Sequence, residues 1–227
     1  MTNDAKHDAD GAAGAEGTAG PMIGFWHAAA LPEDIRPIRE SWDRFGPADI
    51  RCFDDRSGER FIAEHYGPRE VAAFRACALP AMRSDVFRVL AVLALGGFYC
   101  DMGVRLVASP SPFLPVPEGT LTLYRRWHGG INNGLFSAPA GHPVLRRIAE
   151  RIVGNVERRE GRNVMFITGP AVWREVSEDG AAAGVAVREH RAMVPSVFQY
   201  NNDLAHRAGS DHWSKRQGEV ALFRDVA

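Results

Sequence analysis

Residues 84–103 read S-D-V-F-R-V-L-A-V-L-A-L-G-G-F-Y-C-D-M-G, and this stretch decides the fold. Within residues 86–95 the only side chain that is not apolar is that of Arg88, so the pattern predicts a helix buried on nearly every side. Gly96-Gly97 then supplies the left-handed conformation that ends a helix. Residues 98–100 are typical of a short buried strand. The segment therefore predicts a helix followed by a strand, with Asp101 at the strand's carboxyl end.

The charged residues of this helix require partners. A guanidinium buried among apolar side chains needs a carboxylate or a phosphate, because an uncompensated buried charge costs several kcal/mol. Asp85 lies three residues before Arg88, on the same helical face. The pair has two interpretations from the pattern alone, a structural ion pair or part of a binding site. Asp101 favours the second, because open α/β sheets bind ligands at the carboxyl ends of their strands.

The same residues resemble a known family. The hallmark of the DXD-motif glycosyltransferases of the mannosyltransferase and capsular-polysaccharide type, distant relatives of the clostridial glucosylating toxins, is S-D-x-x-R, an apolar stretch and G-G-x-Y-x-D-x-D. The chain matches this hallmark at Ser84, Asp85, Arg88, Gly96, Gly97, Tyr99 and Asp101. It departs at Gly103, where the family has its second aspartate.

The resemblance extends well beyond the hallmark. Residues 21–26 (P-M-I-G-F-W) are similar to the family's first strand, and the segment that leads into C-F-D-D at 52–55 is similar to its approach to the second. Asn133 with Pro143 ten residues later, and Thr-Gly-Pro at 168–170, also match family positions. Together these segments cover roughly residues 21 to 215.

Strands and helices alternate along the rest of the chain. We expect strands at 23–26, 50–53, 98–100, 104–107, 121–124 and 131–137, and helices at 33–45, 61–65, 69–78, from Pro80, at 143–156 and from 171. This alternation predicts an α/β fold. With the resemblance, we expect a single GT-A-like domain at 21–227, a mostly parallel mixed sheet flanked by helices. Residues 1–20, rich in Ala, Gly and acidic residues, are expected to be a disordered tail without the apolar segment of a signal peptide.

Composition excludes several classes of function. The net charge of −1 over 227 residues offers no electrostatic attraction for nucleic acid. Three unevenly spaced cysteines favour neither a disulfide framework nor a zinc site, so we expect a reducing, cytoplasmic location. No apolar run reaches the roughly 18 residues that span a bilayer. Motifs of serine hydrolases, zinc proteases and P-loop proteins are absent from the sequence.

The resemblance implies a role for each candidate site residue. Asp85 would contact hydroxyls of a nucleotide-sugar donor, and Arg88 would hold its sugar-phosphate end. Asp101 would bind the ribose and, through a metal ion, the diphosphate, with Arg88 as its catalytic partner. The remaining candidates for the donor pocket are Trp26 stacked on the base, Tyr99 in the wall, Asn133 facing the transferred sugar, and His212 or Trp213 at the diphosphate. From the pattern alone, Trp26 has the alternative of a core aromatic, and His212 and Trp213 that of a surface cap.

Two features leave alternatives open. Gly103 removes the second motif carboxylate, so Asp101 would be the only motif ligand of a weak Mn²⁺ or Mg²⁺ site. The basic and aromatic residues at 125–128 (R-R-W-H) either face an acceptor sugar or form an exposed turn closed by Gly129-Gly130.

The function expected from the sequence is therefore transfer of a hexose from a UDP- or GDP-hexose to a glycan or glycoconjugate acceptor, as in polysaccharide biosynthesis. The resemblance implies retention of anomeric configuration. The main alternative is a catalytically inactive relative that binds nucleotide sugar or glycan. A third is an unrelated structural or interaction protein.

Overall fold

A computed structural model describes residues 18–113, 115–116, 118–178, 183–200, 204–205 and 213–225. The strands are β1 (Thr18–Ala19), β2 (Met22–Phe25), β3 (Ile50–Phe53), β4 (Gly97–Cys100), β5 (Val104–Leu106), β6 (Pro115–Val116), β7 (Leu121–Arg125), β8 (Ile131–Ala138), β9 (Val185–Glu189) and β10 (Phe198–Tyr200). The helices are α1 (Arg36–Phe45), α2 (Asp55–His65), α3 (Pro68–Ala76), α4 (Pro80–Leu95), α5 (Pro143–Glu157), α6 (Val164–Ile167) and α7 (Pro170–Glu178), with a further turn at Trp213–Arg216.

Six strands form one mixed sheet in the order β3-β2-β4-β8-β7-β9. Three of its strand pairs are parallel, β3 with β2, β2 with β4 and β7 with β9, and β8 is antiparallel to both of its neighbours. The expected α/β architecture with a mostly parallel mixed sheet is confirmed. Because β8 runs opposite to β4, the amino end of β8 lies beside the carboxyl end of β4, and this edge carries the candidate site.

The sheet separates two hydrophobic clusters. Alternate residues of β2 and β4 point to opposite faces, so Ile23 and Tyr99 belong to one cluster while Met22 and Phe98 belong to the other. Helices α2, α3, α4, α5 and α7 cover the first face. The second face is covered by α1 and by a two-stranded antiparallel ribbon of β5 and β10.

The glycine pair after α4 has a specific structural reason. Gly96 and Gly97 both have a positive φ, of 67° and 101°, which L residues with a side chain rarely adopt. A Cβ on Gly97 would also lie only 2.3 Å from the carbonyl oxygen of Pro21. The pair therefore ends α4, as predicted, and also lets β4 begin directly against the residue that precedes β2.

Several element boundaries differ from the sequence expectations. Helix α2 begins at Asp55 rather than near residue 61, because Asp54 and Ser57 form a reciprocal capping box. Helix α1 begins at Arg36 rather than residue 33. Strands β9 and β10 were not predicted, since their exposed or mixed residues give no clear alternation.

Other expectations have mixed outcomes. The three cysteines are free thiols, with Cys77 and Cys100 buried and Cys52 exposed. No helix in the described part of the chain is both long enough and apolar enough to cross a bilayer. The division into a disordered tail at 1–20 and a domain from residue 21 stays a prediction. Thr18–Ala19 pairs with Pro115–Val116, and residues 1–17 lie outside the described ranges.

Candidate functional site

Asp101 lies where three parts of the fold meet. It follows β4 directly, its backbone N–H donates to the carbonyl of Gly134 on β8 (2.8 Å), and its own carbonyl accepts from Val104 at the start of β5 (2.9 Å). These two bonds hold the turn at 101–103 between β8 and β5. The Asp101 side chain is 36% exposed, whereas Asp85 and Arg88 behind it are nearly closed off from solvent. Asp101 is therefore the carboxylate of this group that a ligand can reach.

Arg88 is the centre of the cluster. Its Nη2 lies 3.2 Å from Oδ1 of Asp101 and 3.3 Å from Oδ1 of Asp85. Its Nη1 donates to the carbonyl oxygen of Asn133 (2.8 Å). Burial alone would lower the pKa of Arg88, but the nearby negative charge, first that of Asp101, raises it above its usual range. The guanidinium is thus permanently charged and ties α4 to both β4 and β8.

Ser84 and Tyr99 complete the surroundings of Arg88. Ser84 accepts from Nη2 through its hydroxyl (2.8 Å) and from Nε through its carbonyl (3.2 Å). The guanidinium carbon lies 4.9 Å from the ring centroid of Tyr99, a cation–π distance. The Tyr99 hydroxyl donates to Oδ1 of Asp101 (3.2 Å), and burial raises its pKa far above the usual value. Most of the N–H groups of Arg88 are therefore engaged by the protein itself.

Both carboxylate oxygens of Asp85 accept a hydrogen bond from a side chain. Oδ1 accepts from Nδ2 of Asn133 (2.9 Å), and Oδ2 accepts from the hydroxyl of Thr168 (2.9 Å). Burial raises the pKa of Asp85 to about 6, against the opposing charge of Arg88. The Asp85 side chain joins α4, β8 and the residue that follows α6.

The structure brings five predicted residues together, whereas two others, Trp26 and Trp213, lie elsewhere in the fold. Asp85, Arg88, Tyr99, Asp101 and Asn133 form one connected network. Trp26 directly follows β2, which is parallel to β4, so it lies along the same carboxyl edge of the sheet. Trp213 packs against the hydrophobic cluster on the helix-covered face. His212 lies outside the described residues.

Sequence reasoning missed several residues of the network. Asn132 is fully buried; its Nδ2 donates to the hydroxyl of Tyr200 (2.6 Å), and its Oδ1 accepts from the N–H of Gly134 (3.2 Å) and from Nη2 of Arg126 (3.0 Å). The doubled Asn at 132–133 was the only local signal for Asn132. Thr168 could have been assigned to the site from the Thr-Gly-Pro match, whereas nothing in the sequence indicates Tyr200.

The fit of a divalent cation is poor in the described part of the chain. No group of three His, Cys, Asp or Glu side chains converges there. Within the described network Asp101 is the accessible carboxylate, and its Oδ1 already faces Arg88 and Tyr99. Gly103 is buried and is not among the described glycines with positive φ, so the position does not require glycine for its backbone conformation. A metal ion would need most of its ligands from a bound nucleotide or from residues outside the described ranges.

Two curated proteins are similar to this chain in sequence. No family model matches the chain. It is 24% identical over 157 residues to the initiation-specific α-1,6-mannosyltransferase of Schizosaccharomyces pombe, which covers 56% of this chain and 39% of that protein. It is 25% identical over 183 residues to a Saccharomyces cerevisiae protein named "Putative glycosyltransferase HOC1", covering 66% of this chain and 46% of that one. The chain thus spans less than half the length of both curated relatives.

A solved structure shares the fold. The PaToxG glycosyltransferase superposes with a TM-score of 0.51 at 16% identity, over 74% of this chain and 70% of that one. The chain is a distant homologue of the α-1,6-mannosyltransferase and HOC1 sequences, on the fold of a glycosyltransferase.

Proposed function

We propose that this protein is a glycosyltransferase that moves a hexose, with mannose as the first candidate, from a nucleoside-diphosphate sugar to a glycan or glycoconjugate acceptor. The observation that carries the proposal is the network around Arg88, which presents Asp101 at the carboxyl end of β4. The named activity of the S. pombe relative supports mannose as the sugar. Retention of anomeric configuration remains part of the proposal, and the anomeric signal of the product in NMR tests it.

Within this proposal the residues have distinct tasks. Asp101 accepts hydrogen bonds from ribose or hexose hydroxyls, because it is the exposed carboxylate of the group. Arg88 and Tyr99 are positioning residues, since both hold Oδ1 of Asp101 and are themselves buried. Asp85 positions Asn133 and Thr168 through its two oxygens.

The charge of the network sets a condition on the leaving group. Two carboxylates surround one guanidinium, so the cluster has one more negative than positive charge. A diphosphate next to Asp101 would be repelled unless a cation lies between them. The nucleotide would therefore arrive with its own Mn²⁺ or Mg²⁺, with Asp101 as the ligand from the motif. Such an ion would supply positive charge beside the diphosphate, and Arg88 would keep Asp101 in place next to it.

The test is a panel of UDP- and GDP-hexoses, with and without Mn²⁺, measured by thermal shift and by release of free nucleotide. A donor that binds the native state raises the melting temperature. Asp101→Asn keeps the shape of the side chain and should weaken donor binding by about tenfold or more, since a charged hydrogen-bond acceptor is lost. Asp43→Asn is the matched control, because Asp43 pairs with Arg39 on the exposed side of α1.

A second candidate function is supported by Gly103 and by the missing group of metal ligands among the described residues. In this alternative the chain binds a nucleotide sugar or glycan without transferring it. Donor binding without nucleotide release, across mannose, glucose and galactose acceptors, would favour this alternative. A wild-type protein that shows no shift with any donor of the panel would contradict the first candidate, and no shift with either the donors or a mannose oligosaccharide would contradict both.

A further inference from the structure

The hairpin between β7 and β8 ends in an exposed tryptophan. Trp127 is 87% exposed, whereas Trp42 and Trp173 are fully buried and Trp26 and Trp213 are half-buried. A large aromatic side chain in water gains nothing for folding, because its apolar surface stays exposed. Nothing in the described packing accounts for Trp127, so its face is available to a ligand.

The hairpin tip is tied to the candidate site. Strand β8 begins beside the carboxyl end of β4, so the turn at 126–130 extends beyond the edge where Asp101 lies. Arg126 closes this turn with Gly130 through a 2.8 Å backbone bond, and its side chain reaches back to Asn132 (3.0 Å). Five extended residues span at most about 18 Å, so Trp127 lies within the reach of a short oligosaccharide from Asn132.

The surroundings of Trp127 suit a polyhydroxylated ligand. Arg126 and His128 are exposed on either side of it, and no acidic residue occurs between Glu118 and Glu150. Arg125 lies opposite Glu189 in the register of β7 with β9, and Arg126 adds a positive charge at the tip. An aromatic face packs against the C–H face of a hexose, while guanidinium and imidazole groups bond to its hydroxyls.

A membrane surface is the less favoured partner. Insertion into a bilayer interface needs a broad apolar face with basic flanks. Trp127 is a single apolar side chain in a turn of Arg, His and Gly residues, and the nearest exposed apolar residue of the neighbouring strand, Val187, lies opposite Leu123 rather than at the tip.

We propose that Trp127 is the platform on which a sugar unit of the acceptor stacks, several bonds away from the hydroxyl that receives the hexose. This inference rests on the proposed glycosyltransferase function and adds to it a binding site for the acceptor. Trp127 would then affect how tightly the acceptor binds and leave the donor network around Arg88 unaffected.

The first test separates acceptor from donor. Initial rates are measured at saturating donor with mannotetraose as the acceptor. Trp127→Ala should raise the KM for mannotetraose about tenfold and change kcat by less than about twofold. The rise in melting temperature caused by the donor should be the same as in the wild type. Trp127→Phe, which keeps an aromatic face, should restore most of the affinity. Phe166→Ala is the matched control, because Phe166 is also an exposed aromatic, at 63%, on α6. An unchanged acceptor KM in Trp127→Ala would overturn the proposal.

The second test does not depend on turnover. Binding of mannotetraose without donor is followed by saturation-transfer NMR and by protection of tryptophan fluorescence from acrylamide. The wild type and Phe166→Ala should bind and be protected, and Trp127→Ala should lose both signals. Equal signals in Trp127→Ala, or no binding by the wild type, would overturn the role of Trp127 even if the donor panel succeeds. Binding to anionic vesicles that is lost in Trp127→Ala, with mannotetraose binding unchanged, would assign the residue to a membrane instead.

Discussion

At the scale of single residues, Gly134 matters because of the side chain that it lacks. A Cβ at this position would lie 2.1 Å from Oδ2 of Asp101, closer than any real contact of a Cβ. The Asp101 carboxylate therefore occupies the space that a side chain on β8 would fill. This position of the Asp101 carboxylate is possible because the neighbouring residue on β8, Gly134, has no side chain.

Gly134→Ala should displace the Asp101 carboxylate while the rest of the network stays in place. We expect donor affinity to fall about tenfold, since small displacements of positioning groups have large effects. The cost in the free energy of unfolding should be about 1 to 3 kcal/mol, typical of overpacking. Isothermal titration with the donor and urea unfolding measure the two quantities. Gly67→Ala is the control, because a Cβ there meets its nearest atom at 3.6 Å; equal effects of the two variants would contradict the assignment.

Asp85 predicts a pH dependence of stability. Burial raises its pKa from 3.8 to about 6 in the folded protein, so the native state holds this proton to a higher pH than the unfolded chain does. Its contribution to stability is then fully present below about pH 4 and is lost as pH rises through 6. Asp85→Asn removes this titration.

We therefore expect the difference in unfolding free energy, wild type minus Asp85→Asn, to decrease from pH 4 to pH 6.5 and to stay constant above. The decrease should be a few kcal/mol at most, because one pKa unit corresponds to about 1.4 kcal/mol. Urea unfolding at several pH values measures it. A difference that increases with pH would show that the donors from Asn133, Thr168 and Arg88 outweigh burial and lower the pKa instead.

At the scale of elements, α1 fastens the turn that carries Asp101. The indole N–H of Trp42 donates to the carbonyl of Val104 at the start of β5 (2.7 Å), and the Ser41 hydroxyl accepts from the N–H of Leu106 (3.0 Å). Trp42 also packs on Gly24, where a Cβ would lie 2.8 Å from its ring. Helix α1 thus holds β5 in place, and β5 in turn fixes the end of the segment at 101–103.

Trp42→Phe should test this attachment, with Trp173→Phe as the matched control. Both tryptophans are fully buried, but in the described part of the chain Nε1 of Trp173 has no hydrogen-bond partner. Both variants lose ring area, and only Trp42→Phe loses a hydrogen bond. We expect Trp42→Phe to be the less stable variant by about 1 to 2 kcal/mol in urea unfolding. Equal stabilities would show that the bond to Val104 contributes nothing net.

The helices and strands differ in how well the local sequence pattern predicts them. Helix α4 and strand β4 were predicted almost to the residue, because the stretch 86–95, apolar except for Arg88, lies between Pro80 and Gly96-Gly97 and has few alternatives. Strand β9 escaped prediction: its residues are partly exposed at the edge of the sheet, and it forms by pairing with β7. Pairing partners of that kind are distant in sequence, so propensity within the strand says little about them.

At the scale of the whole molecule, the metal requirement depends on ligands from several parts of the chain and from the substrate. We expect weak Mn²⁺ binding to the protein alone, with dissociation constants well above micromolar, because Asp101 is the only motif carboxylate and Arg88 lies against it. Calorimetric titration of Mn²⁺ into the protein, first alone and then with UDP or GDP, measures this. Micromolar or tighter binding without nucleotide would prove the interpretation of Gly103 wrong.

The sequence by itself determined the α/β class, the buried helix with its charged pair, and the position of Asp101 after a strand. It could do so because these features depend on neighbours within a few turns of chain, such as Asp85 three residues before Arg88. The resemblance then connected Tyr99 and Asn133 to the same pocket.

Only the tertiary structure decided how these groups meet. The contacts of Arg88 with the Asn133 carbonyl, of Asp85 with Thr168 and of Asn132 with Tyr200 join residues 45, 83 and 68 positions apart. Such contacts depend on strand order and register, which bring distant segments to one edge of the sheet. The exposure of Trp127 could not be predicted from the sequence either, because R-R-W-H predicts a turn and does not indicate what packs against it. The fold shows that nothing in the described chain covers the indole ring.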